Sequence, residues 1–260
     1  MSVSPDKKLG QHFLHDARVV ERIATSIAGL LKPGNLLLEI GPGTGALTRP
    51  LLALNHPMVL LEKDARCVEA LQPLLHGRPD ITLNQADALE ADWPALLQNR
   101  PTVVVGNLPY NVGTEIVADL LHVANGGAPI THMVFMLQKE VVQRLCAIPG
   151  NGNWGRLGVL ADVLSDRGKL FDVPPGAFNP PPKVMSSIVQ LTPLPKPRFP
   201  VDMKKLDILL RTAFGQRRKM LRASLREKLD ETVFAKLNID PTARPETLTT
   251  QQLCQLANNL

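Results

Sequence analysis

Aromatic side chains and cysteines are scarce in this 260-residue chain, which carries two Trp, one Tyr, seven Phe and three Cys. Cys67, Cys146 and Cys254 are far apart, odd in number and in no CxxC arrangement. Neither a disulfide framework nor a metal site is expected from them, and a reducing cytoplasm is the default compartment. No apolar run approaches the roughly 18 residues of a membrane span. The opening MSVSPDKKLGQHFL has no apolar core segment and does not read as a secretory signal. Internal repeats and low-complexity tracts are absent as well. What remains is an ordinary globular balance, 44% apolar and 20% charged, in a chain long enough to bury a large core.

The net charge of +5 is mild but unevenly placed. Residues 196–260 hold 13 Lys/Arg against 7 Asp/Glu, while the preceding 195 residues hold 16 against 17. A basic excess confined to the C-terminal quarter can attract a polyanion.

Asp16 is placed to cap a helix in which Val19, Val20, Ile23, Ile27, Leu30 and Leu31 recur at helical spacing, ended by Pro33-Gly34. Apolar runs then alternate with helical stretches. The runs are Asn35–Ile40, Met58–Lys63, Ile81–Asp87 and Thr102–Asn107, with THMVFMLQKE and SSIVQL as later strands. This pattern describes a parallel sheet covered on both faces. TPLPKPRFP, from Thr192 to Pro200, holds four prolines and should interrupt regular structure. A two-part chain is therefore expected: residues 1–195 as an α/β domain and residues 196–260 as a small helical one.

GPGTG places Gly41, Gly43 and Gly45 between a strand and a helix, where glycine lets backbone approach a ligand closely. Glu62 ends the next strand, where a carboxylate can accept both ribose hydroxyls of a nucleoside. Asp87 ends the third and can meet an adenine edge. Three successive strand ends of this kind point to a nucleoside-type cofactor. The turn lacks the sixth-position glycine of the dinucleotide fingerprint.

The fourth strand, TVVVGN, ends in Asn107-Leu108-Pro109-Tyr110. The N6 lone pair of adenine is delocalised into the ring and is a poor nucleophile. Two acceptors aimed at its N–H groups would favour a pyramidal nitrogen. The Asn107 side-chain oxygen and the Leu108 carbonyl could be those acceptors, with Pro109 fixing the backbone and Tyr110 stacking on the base. A base held in this way must be single-stranded, looped or flipped out.

These segments resemble known families. GPGTG is similar to motif I of S-adenosylmethionine-dependent methyltransferases, and NLPY to motif IV of those that modify an exocyclic amine of a nucleobase. KKLGQHFL, EIGPGTGALT, LEKD, QAD, GNLPYN, FMLQKEVVQRL, GRLGV, FNPPPKV and AFGQRRKMLRASL follow the order found in ribosomal RNA adenine dimethyltransferases. The last two look most like the bacterial KsgA/RsmA branch. The antibiotic-resistance Erm enzymes share the catalytic motifs but generally differ in the C-terminal signature.

The resemblance implies a Rossmann-like S-adenosylmethionine-dependent methyltransferase fold with a small C-terminal helical domain. It also implies S-adenosylmethionine as cofactor. The implied product is N6,N6-dimethyladenosine at two adjacent adenosines in a hairpin loop near the 3′ end of small-subunit (16S) rRNA. The substrate would be a 30S pre-ribosomal particle late in assembly, met in the cytoplasm by a monomer with no membrane partner. By motif, His12, Leu14, Gly41, Gly43, Glu62, Asp87 and Asn107 would contact the cofactor. Many relatives carry Asn where this chain has His12. Phe178 would offer a second stacking face for the base opposite Tyr110.

In FGQRRKMLRASLREKL, Arg211, Arg218, Arg222 and Arg226 fall at intervals that share one face of a continuous helix, flanked by Arg217 and Lys219. Beside a base-modifying pocket, this stripe reads as a phosphate-binding surface. Two other readings explain less. A nicotinamide-dependent oxidoreductase leaves NLPY idle, and a non-catalytic assembly factor leaves Asn107, Tyr110 and the cofactor acids without a role.

Overall fold

Asp16 opens the first helix, Ala17–Ala28, by accepting from the N–H groups of Arg18 and Val19, and Ile23, Ala24 and Ile27 form its buried stripe. The computed structural model describes residues 3–6, 9–216 and 219–260. Among the described residues nine strands occur, in chain order: β1 (Phe13–Leu14), ahead of that helix, then β2 (Leu36–Ile40), β3 (Met58–Glu62), β4 (Ile81–Gln85), β5 (Thr102–Asn107), β6 (Ile130–Gln138), β7 (Ser165–Val173), β8 (Phe178–Asn179) and β9 (Ser186–Pro193).

Seven of them form one sheet in the order β4-β3-β2-β5-β6-β9-β7. Strands β4, β3, β2, β5 and β6 run parallel, whereas β9 pairs antiparallel with β6. The all-parallel sheet expected from the apolar runs is thus a mixed one. Its three central parallel strands are the buried ones: every residue of β2 and β3, and five of the six in β5, are buried. That matches the near-continuous apolar runs of strands covered on both faces. Strands β1 and β8 form a separate two-stranded ribbon, with Phe13 opposite Asn179 and Leu14 opposite Phe178.

Register sets the stage for the site. Ile40 pairs with both Leu61 and Gly106, and Asn107 pairs with Met136, so the carboxyl ends of the central strands finish level. Gly106 makes this close approach possible, because a Cβ there would lie 2.5 Å from the Ile40 carbonyl oxygen.

The chain divides into two compact units, one ending at Val142 and resuming over Arg167–Pro193, the other made of Gln143–Asp166 and Leu194–Leu260. The second unit therefore takes in Gln143–Asp166, within the 1–195 stretch expected to be the α/β domain. Helix Arg156–Leu164 explains this. It buries Val159, Leu160, Ala161, Val163 and Leu164, and that apolar length packs against helices Met203–Gly215 and Thr250–Ala257. Trp154, fully buried, donates its indole N–H to the Leu248 carbonyl at 3.1 Å, and Arg198 bonds Asp166 at 2.7 Å.

The continuous basic helix does not form. Helix Met203–Gly215 ends as Gln216 takes φ −125°, ψ 50°, and the next helix, Leu221–Leu225, starts only after an extended Met220. Arg211 and Arg222 thus sit on two different helices, while Arg226 follows the end of the second. Arg217 and Arg218 lie outside the described residues.

Candidate active site

Beyond the carboxyl ends of β2, β3, β4 and β5 lies a cavity, the position at which open α/β sheets bind ligands. Gly41, Gly43, Glu62, Asp87, Asn107, Leu108, Pro109 and Tyr110 all line it, as do His12 and Leu14 from the N-terminal arm. The fit to a nucleoside-type cofactor can be judged from these groups. Gly41 and Gly43 adopt φ +66° and +57°, and a Cβ on Gly43 would press to 3.2 Å from the Phe13 ring. At these two positions side chains are disfavoured, so the backbone there is open to the cavity.

Glu62 is buried and holds the turn from below. Its two carboxylate oxygens accept from the N–H groups of Gly43 and Asp64, each at 2.9 Å. Burial pushes its carboxyl upward, and those N–H bonds pull it back. Asp87 behaves in the opposite way. Lys63 bonds it at 2.5 Å and, with the Leu89 N–H, holds its carboxyl below the usual range, so it stays ionised. Each acid keeps lone pairs for further donors. These residues fit a ligand that carries hydroxyl and amine donors.

A buried acid at the cavity wall escaped the sequence reading. Glu39, inside β2, has no hydrogen-bond partner at Oε2. Burial pushes its carboxyl up to about 8. The signal was present as a lone charge within an apolar strand, a position that charged residues rarely occupy unpaired.

At the end of β5 the Asn107 amide nitrogen donates to the His12 carbonyl at 3.2 Å. The Asn107 carbonyl oxygen lies 3.7 Å from where a Cβ of Gly41 would stand, so the NLPY segment adjoins the glycine turn. Pro109 accepts from the Gly113 N–H at 2.8 Å and leads into helix Gly113–Asn125. Tyr110, the only tyrosine of the chain, shares a 2.6 Å hydrogen bond with the Ser186 hydroxyl. The His12 ring stands against it, centroids 5.3 Å apart and planes tilted by 30°. His12 in turn donates from Nδ1 to the Pro180 carbonyl at 2.7 Å.

Phe178 does not join this wall. It is 2% exposed, belongs to the apolar core with Leu14 and Ile188, and is not among the cavity-lining residues. Its side chain is packed into that core, on the same face of the two-stranded ribbon as Leu14. The second aromatic face expected from FNPPPKV is therefore absent at Phe178, and His12 is the ring beside Tyr110. Arg211, Lys219, Arg222 and Arg226 are exposed, and all belong to the second unit.

Comparison with known proteins agrees with this geometry. The family model described as ribosomal RNA adenine dimethylase matches residues 4–260. A protein of Pseudomonas aeruginosa named ribosomal RNA small subunit methyltransferase A is 44% identical over 256 residues, covering 98% of this chain and 94% of that one. The protein of the same name from Marinobacter nauticus is 41% identical over 255 residues, covering 98% and 91%. Among solved structures, a dimethyladenosine transferase from Plasmodium falciparum shares the fold with a TM-score of 0.77 at 24% identity, over 94% of this chain and 96% of that one. The 23S rRNA methyltransferase ErmE gives a TM-score of 0.68 at 27% identity, over 95% and 99%.

Proposed function

Because the chain belongs to the ribosomal RNA adenine dimethylase family, and so transfers methyl groups from S-adenosylmethionine to ribosomal RNA adenines, we propose that its substrate is small-subunit rRNA within a 30S pre-ribosomal particle. The target is a pair of adjacent adenosines in a hairpin loop near the 3′ end, each converted to N6,N6-dimethyladenosine by a monomer acting in the cytoplasm. The small-subunit names of the relatives at 44% and 41% identity support this choice over a 23S target.

The carrying observation is that all four residues of NLPY line the same cavity as the glycine turn, Glu62 and Asp87. The cofactor supplies an electrophilic methyl group. Gly41 and Gly43 would admit its amino-acid end, Glu62 would accept from the ribose hydroxyls and Asp87 from the adenine amine, with His12 and Leu14 closing over it. Asn107 Oδ1 and the Leu108 carbonyl would accept from the target amine and turn its lone pair toward the methyl. Neither acceptor is a strong base, so the amine's proton leaves to solvent after transfer. Tyr110 would stack on the base with the face that His12 does not take. The basic residues of the second unit, Arg211, Arg217, Arg218, Lys219, Arg222 and Arg226, would hold the RNA backbone.

The test is incubation with labelled cofactor and unmethylated small subunits, with large subunits in parallel, followed by mapping of the modified bases. Label in paired small-subunit adenosines, lost in Asn107→Ala, is the expected result. Label in the large subunit alone, or full methylation by Asn107→Ala, would overturn the reading.

A further inference from the structure

The carboxamide of Asn107 can serve as an acceptor only if its oxygen, not its nitrogen, faces the target amine. A primary amide presents two donors at one end and an acceptor at the other, and a half-turn exchanges them. Whatever takes the nitrogen therefore decides the chemistry of the other end. Here the nitrogen is taken by the backbone carbonyl of His12, 95 residues away in sequence. Among the described residues no protein donor engages Asn107 Oδ1, which leaves that atom for a ligand.

The His12 carbonyl can do this only while the arm is held in place. On its C-terminal side, the arm is anchored by the pairing of Phe13 and Leu14 with β8. On its N-terminal side Gln11 anchors it, alongside a 3.3 Å bond from Arg66 Nη1 to the Ser4 carbonyl. The Gln11 side-chain nitrogen donates to Asp64 Oδ2 at 2.9 Å, and its oxygen accepts from the Asp6 N–H at 2.9 Å. Asp64 is itself fixed. It caps helix Ala65–Leu71, and Arg66 bonds both of its oxygens, at 3.0 and 2.6 Å, so its carboxyl lies at about 2. Gly10, at φ +65°, lets the arm lie directly on Asn111, whose Oδ1 would be 3.3 Å from a Cβ.

We propose that Gln11 is a positioning residue that latches the arm to Asp64 so that the His12 carbonyl holds the Asn107 carboxamide with its oxygen toward the target amine. This rests on the acceptor role of Asn107 proposed above. The arm is then part of the methyl-transfer apparatus as well as a cover for the cofactor.

The experiment uses the full chain with unmethylated small subunits. It measures the single-turnover rate at saturating S-adenosylmethionine, together with cofactor affinity by calorimetry and folding by circular dichroism. Gln11→Leu and Gln11→Glu should slow the single-turnover rate by about tenfold or more, as misplacement of a reacting group does. In Gln11→Glu a carboxylate faces the Asp64 carboxylate and the latch opens. Adding Asp64→Asn restores one donor and one acceptor in exchanged positions. The double variant should therefore recover the rate of Asp64→Asn alone, a rescue that simple destabilisation would not produce. A wild-type rate at saturating cofactor in the Gln11 variants, with only affinity reduced, would overturn the proposal. So would a double variant as slow as Gln11→Glu. Asn107→Ala, run alongside, separates the two readings: if it methylates normally, the acceptor role itself is wrong. If it is inactive while Gln11→Leu is fast, only the latch is wrong.

Discussion

The Tyr110 hydroxyl and the Ser186 hydroxyl share a hydrogen bond of 2.6 Å, which ties the cavity wall after β5 to the first residue of β9. The His12 ring supports the same phenol from its face. The ring is thus held in one orientation, so a base that stacked on it, as proposed, would cost less conformational entropy.

This arrangement has a spectroscopic consequence, because Tyr110 is the only tyrosine present. Burial pushes its phenol above the ordinary value, and the Ser186 hydroxyl partly offsets that rise. Phenolate absorbance should therefore titrate at higher pH in the folded protein than in the denatured chain, and at higher pH still in Ser186→Ala. That variant should also lose about 1 kcal/mol of base positioning, roughly fivefold in kcat/KM for the RNA. A Ser186→Ala titration at or below the wild-type value would contradict the assigned bond.

Much of this site was legible in the chain, for physical reasons. Buried parallel strands must read as apolar runs, and a ligand beyond their carboxyl ends must meet the residues that follow those runs. Glu62, Asp87 and Asn107 were found that way. Phe178 was misplaced because a two-residue strand has no periodicity from which its facing could be read. Its burial in the core beside Leu14 and Ile188 decides it. The arginine stripe does not hold because the backbone is non-helical at Gln216 and again at Met220, a break that side-chain spacing does not reveal. Gln11 and Ser186 were not legible at all. Their partners lie 53 and 76 residues away, and no local pattern encodes such a meeting.

Glu39 should leave a mark on the pH dependence of stability. Its carboxyl is lifted from 4.5 to about 8, chiefly by burial, against the Thr48 hydroxyl and with the Glu62 carboxylate adding to the rise. Below pH 4.5 both folded and unfolded states carry the proton. Between 4.5 and 8 the folded state keeps a proton that the unfolded state has lost, so stability falls as pH rises through that window. The slope from this group approaches about 1.4 kcal/mol per pH unit, a total on the order of a few kcal/mol. Glu39→Gln should flatten that decline, so denaturant midpoints of wild type and variant should diverge most near pH 8. Parallel curves across the window would show that Glu39 does not hold its proton.

The exposed arginines of the second unit give the last prediction. Arg222 and Arg226 are exposed, and Arg226 has only a 4.0 Å approach from Glu227, with both side chains more than three-quarters exposed. An ion pair so open to solvent contributes little and leaves the guanidinium available to a phosphate. If these residues neutralise RNA phosphates, each releases condensed counterions on binding. The logarithm of affinity then falls with the logarithm of salt by roughly 0.7 to 0.9 per contact. Arg222→Ala with Arg226→Ala should weaken small-subunit binding and make that slope shallower by about 1.4 to 1.8 for two lost contacts. Cofactor affinity should stay unchanged, since the cavity proposed to hold the cofactor is lined wholly by residues of the other unit. An unaltered slope, with filter binding or sedimentation followed across a salt series, would mean that these two cations remain in solvent when the particle is bound.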